Sequence, residues 1–356
     1  MSLTAKRGII VQIEVWDLHD NFASRWASNP WNPANNAGYP GGPTRLATAY
    51  PQLRYRGDES DTPPHDFLLS VPELNNDRPL LAAQERYVDE LLSHTLPCPH
   101  VLYCVTNEIH PQYPPEWGWH WARHIRKRSL EAGRDAYVTE MYWQPNLADE
   151  QHRASLDRPG VFDFFEASQN SATRDPETAW RLLMFARNRL AERPRPVNHT
   201  KIYGADTSPW PLKERDAVGH FWRNLFAGSA SSRFHRPPMG MGLNPSARTH
   251  IRSARMLAMA FDFFRAEPDG EHRFLIGRTA DGAYLCRVPG RQYAVSLPNG
   301  KGVGLDLSEA DGRFSLRWLD VAASEWREGG AAEGGGTLAL QAPGPGRWVA
   351  LLTAEG

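Results

Sequence analysis

Residues 8–15 read GIIVQIEV and residues 100–106 read HVLYCVT. Both are continuous apolar runs rich in β-branched side chains, without the alternation that marks a solvated face, which is the pattern of strands buried on both sides of a parallel sheet. Between them, Pro79 to Thr95 sets Leu80, Leu81, Tyr87, Val88, Leu91 and Leu92 on one side of a helix and Gln84, Glu85 and Asp89 on the other. Outward from there the chain predicts a helix over 115–132, strands over 136–139 and 161–165, a helix over 176–192, a strand over 200–203, a helix over 213–227, a short strand over 229–234 and a helix over 246–263. Strand-helix alternation builds parallel β/α units, so the expected fold class is α/β, a TIM-barrel-like β/α barrel. Only about six strands are legible where a closed barrel of this kind has eight. The barrel is therefore expected to be incomplete, with segment 22–76, a second subunit or residues outside the chain closing the gap.

After about residue 266 the texture changes to short strands broken by Gly, Pro and Asp: RFLIGRT, AYLCRV, QYAVSLP, GVGLDLS, FSLRWLDV, TLALQA and RWVALLT. That pattern predicts an antiparallel all-β sandwich or barrel of about eight strands, taken as a sandwich, with the glycine-rich stretch Gly329 to Gly336 as a turn or loop inside it. The expected division is a barrel over 1–265 and a sandwich over 266–356.

Composition narrows the ligand. The 356 residues are 41% hydrophobic and 23% charged, with a formal charge of -1, so there is no field to hold nucleic acid or an anionic membrane. No apolar run approaches the roughly 18 residues of a membrane span, and MSLTAKRG lacks the apolar core of a signal peptide. As given, the chain reads as cytoplasmic, and as secreted or periplasmic if its N-terminus is truncated. Cys98, Cys104 and Cys286 lack metal-ligand spacing, no histidine pair compels a metal, and no phosphate loop or Gly-x-Gly-x-x-Gly follows a strand; no cofactor is expected. Thirteen tryptophans are more telling, because indole faces stack on the C–H faces of neutral sugars. Trp16, Trp26 and Trp31 cluster early, and Trp117, Trp119, Trp121 and Trp143 follow.

In a β/α barrel the C-terminal strand ends converge on the site, and here those ends are mostly acidic. Strand one ends near Glu14, Trp16, Asp17 and His19. HVLYCVT ends in Asn107-Glu108, AYVT in Glu140, VFDFF in Glu166 and TKIYGA in Asp206, and the last strand carries Arg233 and His235. Convergent carboxylates suit glycoside hydrolysis, in which one acid protonates the leaving oxygen and another stabilises or attacks an oxocarbenium-like centre. Trp16, His19, Trp31, Trp143, Arg233 and His235 are the candidate substrate-contacting groups.

An apolar strand ending in Asn107-Glu108 resembles the fourth-strand signature of the large barrel superfamily of retaining glycoside hydrolases. The resemblance implies that Glu108 is the general acid/base and that Asn107 binds the sugar 2-hydroxyl. It places the nucleophile three strands on, at Asp206, where the superfamily usually has Glu; Glu166 and Glu140 are the alternatives for that second carboxylate. The tail, through YAVSLPNG, VGLDLS, FSLRWLDV and GRWVALL, is similar to a C-terminal sandwich named for collagen binding that follows such barrels.

The expected function is hydrolysis of a neutral glycan or glycoside, with a carbohydrate as the partner molecule and neither nucleic acid nor membrane. The alternative is a non-catalytic carbohydrate-binding protein derived from the same barrel. An open barrel would leave strand edges unpaired, so a homo-oligomer is expected.

Overall fold

The computed structural model describes residues 1–17, 21, 23–36, 38–50, 65–202, 214–235 and 243–355. Backbone contacts divide the chain into two compact units. The first contains residues 1–144, 148–166 and 192–195; the second contains 145–147, 167–191 and 196–356. The change of texture near residue 266 falls inside the second unit.

The first unit carries, in chain order, α1 (Ser2–Lys6), β1 (Val11–Asp17), α2 (Ala23–Trp26), α3 (Arg78–Thr95), β2 (Val101–Asn107), α4 (Glu116–Glu131), β3 (Tyr137–Thr139), α5 (Glu150–Leu156) and β4 (Phe165–Glu166). Strands β1, β2 and β3 form a parallel sheet in that order, in register Asp17 opposite Asn107 and Cys104 opposite Thr139. Helix α3 starts where the Asp77 carboxylate accepts from the Leu80 amide at 3.3 Å, satisfying one of the donors a helix start leaves open. Its buried residues are Leu80, Leu81, Gln84, Val88, Leu92 and Thr95. Leu80, Leu81, Val88 and Leu92 keep the expected side, whereas Gln84, expected on the polar side, is buried because its amide donates to the Phe67 carbonyl at 3.0 Å, and Tyr87, expected on the apolar side, is exposed. Helix α4 buries Trp117, Gly118, Trp121, Ala122 and Ile125. These faces pack with Val15, Trp16, Val101, Tyr103 and Val105 of the sheet into one core, where truncating a single Trp would cost about 3–5 kcal/mol.

The second unit holds α6 (Pro176–Arg189), β5 (Val197–Asn198), α7 (Glu214–Phe226) and α8 (Pro245–Ala260), followed by β6 (Glu267–Pro268), β7 (Leu275–Ile276), β8 (Tyr284–Val288), β9 (Gln292–Leu297), β10 (Val303–Asp306), β11 (Arg313–Asp320), β12 (Glu325–Glu333), β13 (Thr337–Leu340) and β14 (Trp348–Ala354). The later strands make two sheets, ordered β12-β11-β14-β9-β8-β6 and β13-β10-β7, with antiparallel pairing. Side chains from both sheets, among them Leu275, Leu305, Leu340, Tyr293, Phe314 and Leu352, share one apolar cluster. Helix α8 is tied to this region by the Ser253 hydroxyl, which donates to the Val321 carbonyl at 2.8 Å, and α6 by the Trp180 indole, which donates to the Gly270 carbonyl at 2.9 Å.

The fold is thus mixed α/β, with parallel strands early and antiparallel sheets late, and three expected strands are corrected. Over 161–165 only Phe165 is in a strand, because the Asp163 carboxylate, rather than a ladder carbonyl, takes the Val138 amide at 2.8 Å. Over 200–202 and 229–234, among the described residues, the pairing is a single bridge between Ile202 and Phe234; the rest of the expected 200–203 strand lies outside them. There the Ser168 hydroxyl accepts the amides of Thr200 and Lys201 at 2.7 and 3.2 Å, so a side chain replaces the neighbouring strand. Among the described residues the parallel pairing falls short of a closed barrel. The stretch from Gly329 is also corrected: Gly329 and Gly330 lie inside β12, where β11 and β12 shift register beside Leu316 and Arg317. A Cβ on Gly329 would come within 2.6 Å of the Leu316 side chain, and Gly330 has φ +86, so glycine permits this bulge.

Candidate active site

The candidate residues of the first unit are positioned by the tips of β1, β2 and β3. Strand β2 ends at Asn107, and the next residue, Glu108, has φ 56. A non-glycine residue in the left-handed region is uncommon and costs on the order of 1–3 kcal/mol, so the chain departs from its strand path at Glu108, the residue that the resemblance in sequence singles out. Glu108 is nearly buried, at 9% exposed. Beside it, the Asn107 amide donates to the Asp17 carboxylate at 3.1 Å, linking the tips of β1 and β2. Beyond Glu108 the path is fixed again: the Ile109 amide donates to the Met141 carbonyl at 2.9 Å and the Trp143 amide to the Ile109 carbonyl at 3.0 Å. That pairing brings His110 and Trp143 together, with ring centres 6.0 Å apart.

Asp17 also lines a cleft of about 610 Å³ whose wall includes Val15, Trp16, Trp31, Phe67 and Tyr87, with polar groups from Asn21, Arg25, Ser28 and Asn29. Trp16 contributes little open surface, at 5% exposed, because Trp31, Phe67, Tyr87, Trp117 and Trp121 surround it with ring centres 4.9–6.0 Å away. Trp31 is half-buried. The loop that supplies this wall holds itself together through its asparagines. Asn32 donates to the carbonyls of Trp26 and Thr48 at 2.9 and 3.0 Å and accepts from the Ala34 amide, while Asn29 accepts from the Trp31 amide at 2.8 Å. Side-chain amides here do the work of a turn, and the Asn-Pro-Trp-Asn-Pro motif positions Trp31. The polar groups Asn21, Arg25, Ser28 and Asn29 were not singled out from the sequence; the length of their loop was the available signal.

Glu140, just past β3, is oriented differently. Its side chain is fully buried, one carboxyl oxygen accepts from the Thr106 amide at 2.8 Å, and the other has no hydrogen-bond partner among the described residues. That second oxygen rests against Gly118 of α4, where a Cβ would stand 2.2 Å from it. Burial pushes the Glu140 carboxyl well above the usual carboxylate range, against the smaller opposing pull of the Thr106 N–H. Glu166 is buried at the end of β4, with 1% exposed.

Arg233 and His235 belong to the second unit, Arg233 with an exposed side chain; the Arg233 carbonyl accepts from the Ile202 amide at 3.1 Å and the His235 amide donates to the Ile202 carbonyl at 3.0 Å. His19 and Asp206 lie outside the described residues. Among the described residues no group of three or more His, Cys, Asp or Glu is gathered as a metal ion would require, and no helix is long and apolar enough to cross a membrane.

No protein-family model matches the chain, and no curated protein matches it. Solved structures do. One, named as a glycoside hydrolase, superposes with a TM-score of 0.59 at 16% identity, covering 77% of this chain and 69% of that one. A family 5 glycoside hydrolase from Bacteroides vulgatus gives 0.56 at 16% identity, over 78% and 68%. A noncanonic maltogenic alpha-amylase, AmyB from Thermotoga neapolitana, gives 0.52 at 12% identity, over 100% and 80%. At these identities the likeness shows the fold: the chain shares its architecture with glycoside hydrolases.

Proposed function

We propose that this protein is a glycoside hydrolase that cleaves a neutral glycan or glycoside with retention, using Glu108 as the general acid/base. The observation that carries this reading is the placement of Glu108 in left-handed backbone at the tip of β2, next to the Asn107–Asp17 hydrogen bond, in a chain with the fold of glycoside hydrolases. Backbone strain of this kind persists where the surrounding structure over-determines it, and it collects at working sites.

In this mechanism Glu108 protonates the departing glycosidic oxygen while a second carboxylate attacks the anomeric carbon; Glu108 then takes a proton from the water that releases the sugar. Asp206 is the proposed nucleophile and Glu166 its alternative. Asn107 binds the 2-hydroxyl, with its amide oriented by Asp17. The cleft suits a sugar, since the half-buried Trp31 and exposed Tyr87 offer apolar faces and the exposed Arg25 and Ser28 offer polar groups. We extend the proposal to a sandwich architecture for the late strands, with a domain boundary near residue 266. A homo-oligomer is also proposed, because among the described residues β1 lies at the edge of its sheet and Ile9 and Ile10 before it are exposed; a monodisperse monomer in light scattering would remove it.

The test is turnover of aryl pyranosides and furanosides by the intact chain beside Glu108→Gln, Asp206→Asn and Glu166→Gln. Loss of about 10²–10⁴-fold in Glu108→Gln and in one of the other two supports the assignment. An inert but folded chain that still binds glycans would transfer the reading to a non-catalytic carbohydrate-binding protein.

A further inference from the structure

We infer that Glu140 is a positioning residue, wedged between the Thr106 amide and Gly118 so that it fixes the strand end from which Asn107 and Glu108 project. The inference rests on the role proposed above for Glu108 and adds what holds that residue in place. Three observations converge. One Glu140 oxygen takes the Thr106 amide at 2.8 Å, one residue before Asn107. The other oxygen is fully buried and touches the bare Cα face of Gly118, the one residue type that leaves it room. The neighbouring backbone, Ile109 to Met141 and Trp143 to Ile109, then clamps the chain just beyond Glu108. The left-handed turn at Glu108 is therefore gripped on both sides, and Glu140 supplies the upstream grip.

An uncompensated buried polar group is costly, and among the described residues one Glu140 carboxyl oxygen has no hydrogen-bond partner where it makes this contact. Its orientation toward α4 and Thr106 separates it from a group that exchanges protons with substrate. Glu140→Gln keeps the carbonyl acceptor and nearly the same volume, so it preserves the grip. Glu140→Ala removes it, and Gly118→Ala disturbs it from the helix side although alanine favours the helix by about 1 kcal/mol.

The experiment compares kcat and KM for the full-length chain and for Glu140→Gln, Glu140→Ala, Gly118→Ala and Glu108→Gln, each verified as folded by circular dichroism, together with amide hydrogen exchange across residues 105–110. Expected results are a kcat for Glu140→Gln within about threefold of the parent, and for Glu140→Ala and Gly118→Ala a kcat at least about tenfold lower with KM little changed, since small displacements of an acid cost turnover. Exchange at 105–110 should rise in the two alanine variants and stay put in Glu140→Gln. Glu140→Gln as inactive as Glu108→Gln would overturn the inference by making Glu140 a proton-transfer group. Unchanged exchange in Glu140→Ala would overturn it irrespective of activity. An active Glu108→Gln would instead sink the acid/base assignment and leave the exchange result to decide whether Glu140 holds the strand end. Should Glu140→Ala fail to fold, Gly118→Ala carries the same comparison, and unchanged kcat and exchange there would equally overturn it.

Discussion

Asn107 and Asp17 sit opposite each other in the β1–β2 register, and the amide of one donates to the carboxylate of the other at 3.1 Å. A hydrogen bond to a charged group contributes about 1.5–3 kcal/mol, and here it also aims the amide beside Glu108. Asp17→Ala is expected to lower stability by about 1–3 kcal/mol in urea unfolding and to reduce kcat/KM on the best aryl glycoside as far as Asn107→Ala does. If Asp17→Ala leaves kcat/KM intact, orientation of Asn107 does not matter to the reaction.

Glu108 occupies a backbone region that glycine enters without penalty. Glu108→Gly should therefore gain stability while losing turnover, the opposite of what a structural acid would do: a rise of about 1 kcal/mol in unfolding free energy with activity falling to background. A destabilised Glu108→Gly would show that the carboxyl side chain holds the fold more than its backbone strains it.

The helices were legible because their apolar stripes are local. Leu80, Leu81, Val88 and Leu92 announce the buried face of α3, and the capping Asp77 stands just before it. The tip of β2 was legible for the same reason, a buried strand followed at once by Asn107-Glu108. What the sequence concealed depends on partners far along the chain. The amides of Thr200 and Lys201 reach back to Ser168, so among its described residues an apolar run that looks like a strand pairs only at Ile202. Strand β12 was hidden by its own glycines, whose purpose appears only when the side chains of Leu316 and Trp318 lie against Gly329. At Glu140 the strand-tip rule located the residue, but which way its carboxyl turns is decided by Gly118, 22 positions earlier.

Gly329 gives the late sheets a sharp test. A methyl group there would meet Leu316 Cγ at 2.6 Å and the Trp318 ring at 2.8 Å, both members of the shared core. Gly329→Ala should cost about 1–3 kcal/mol by overpacking, seen as a lower thermal midpoint, whereas Gly336→Ala, with open space around its Cα, should change little. Equal midpoints for the two would mean that the bulge relaxes freely.

His199 ties stability to pH. It is fully enclosed, its Nε2 lies 3.1 Å from the Ser229 hydroxyl, and burial pushes its imidazole down to about 3, with the Ala167 backbone pulling slightly the other way. Its folded value lies below the unfolded one, near 6.5, so the folded chain binds fewer protons between those limits. The stability that neutral His199 lends is therefore complete above about pH 6.5 and drains away as the pH falls toward 3. At pH 4.5 the loss from this one group is on the order of 2–3 kcal/mol. Replacing it with Gln removes the titration while keeping a polar partner for Ser229, so the difference in unfolding free energy between the parent and His199→Gln should shrink or reverse between pH 7.5 and pH 4.5. Parallel pH profiles for the two proteins would mean that His199 titrates normally in the folded state and that its surroundings admit the charged form.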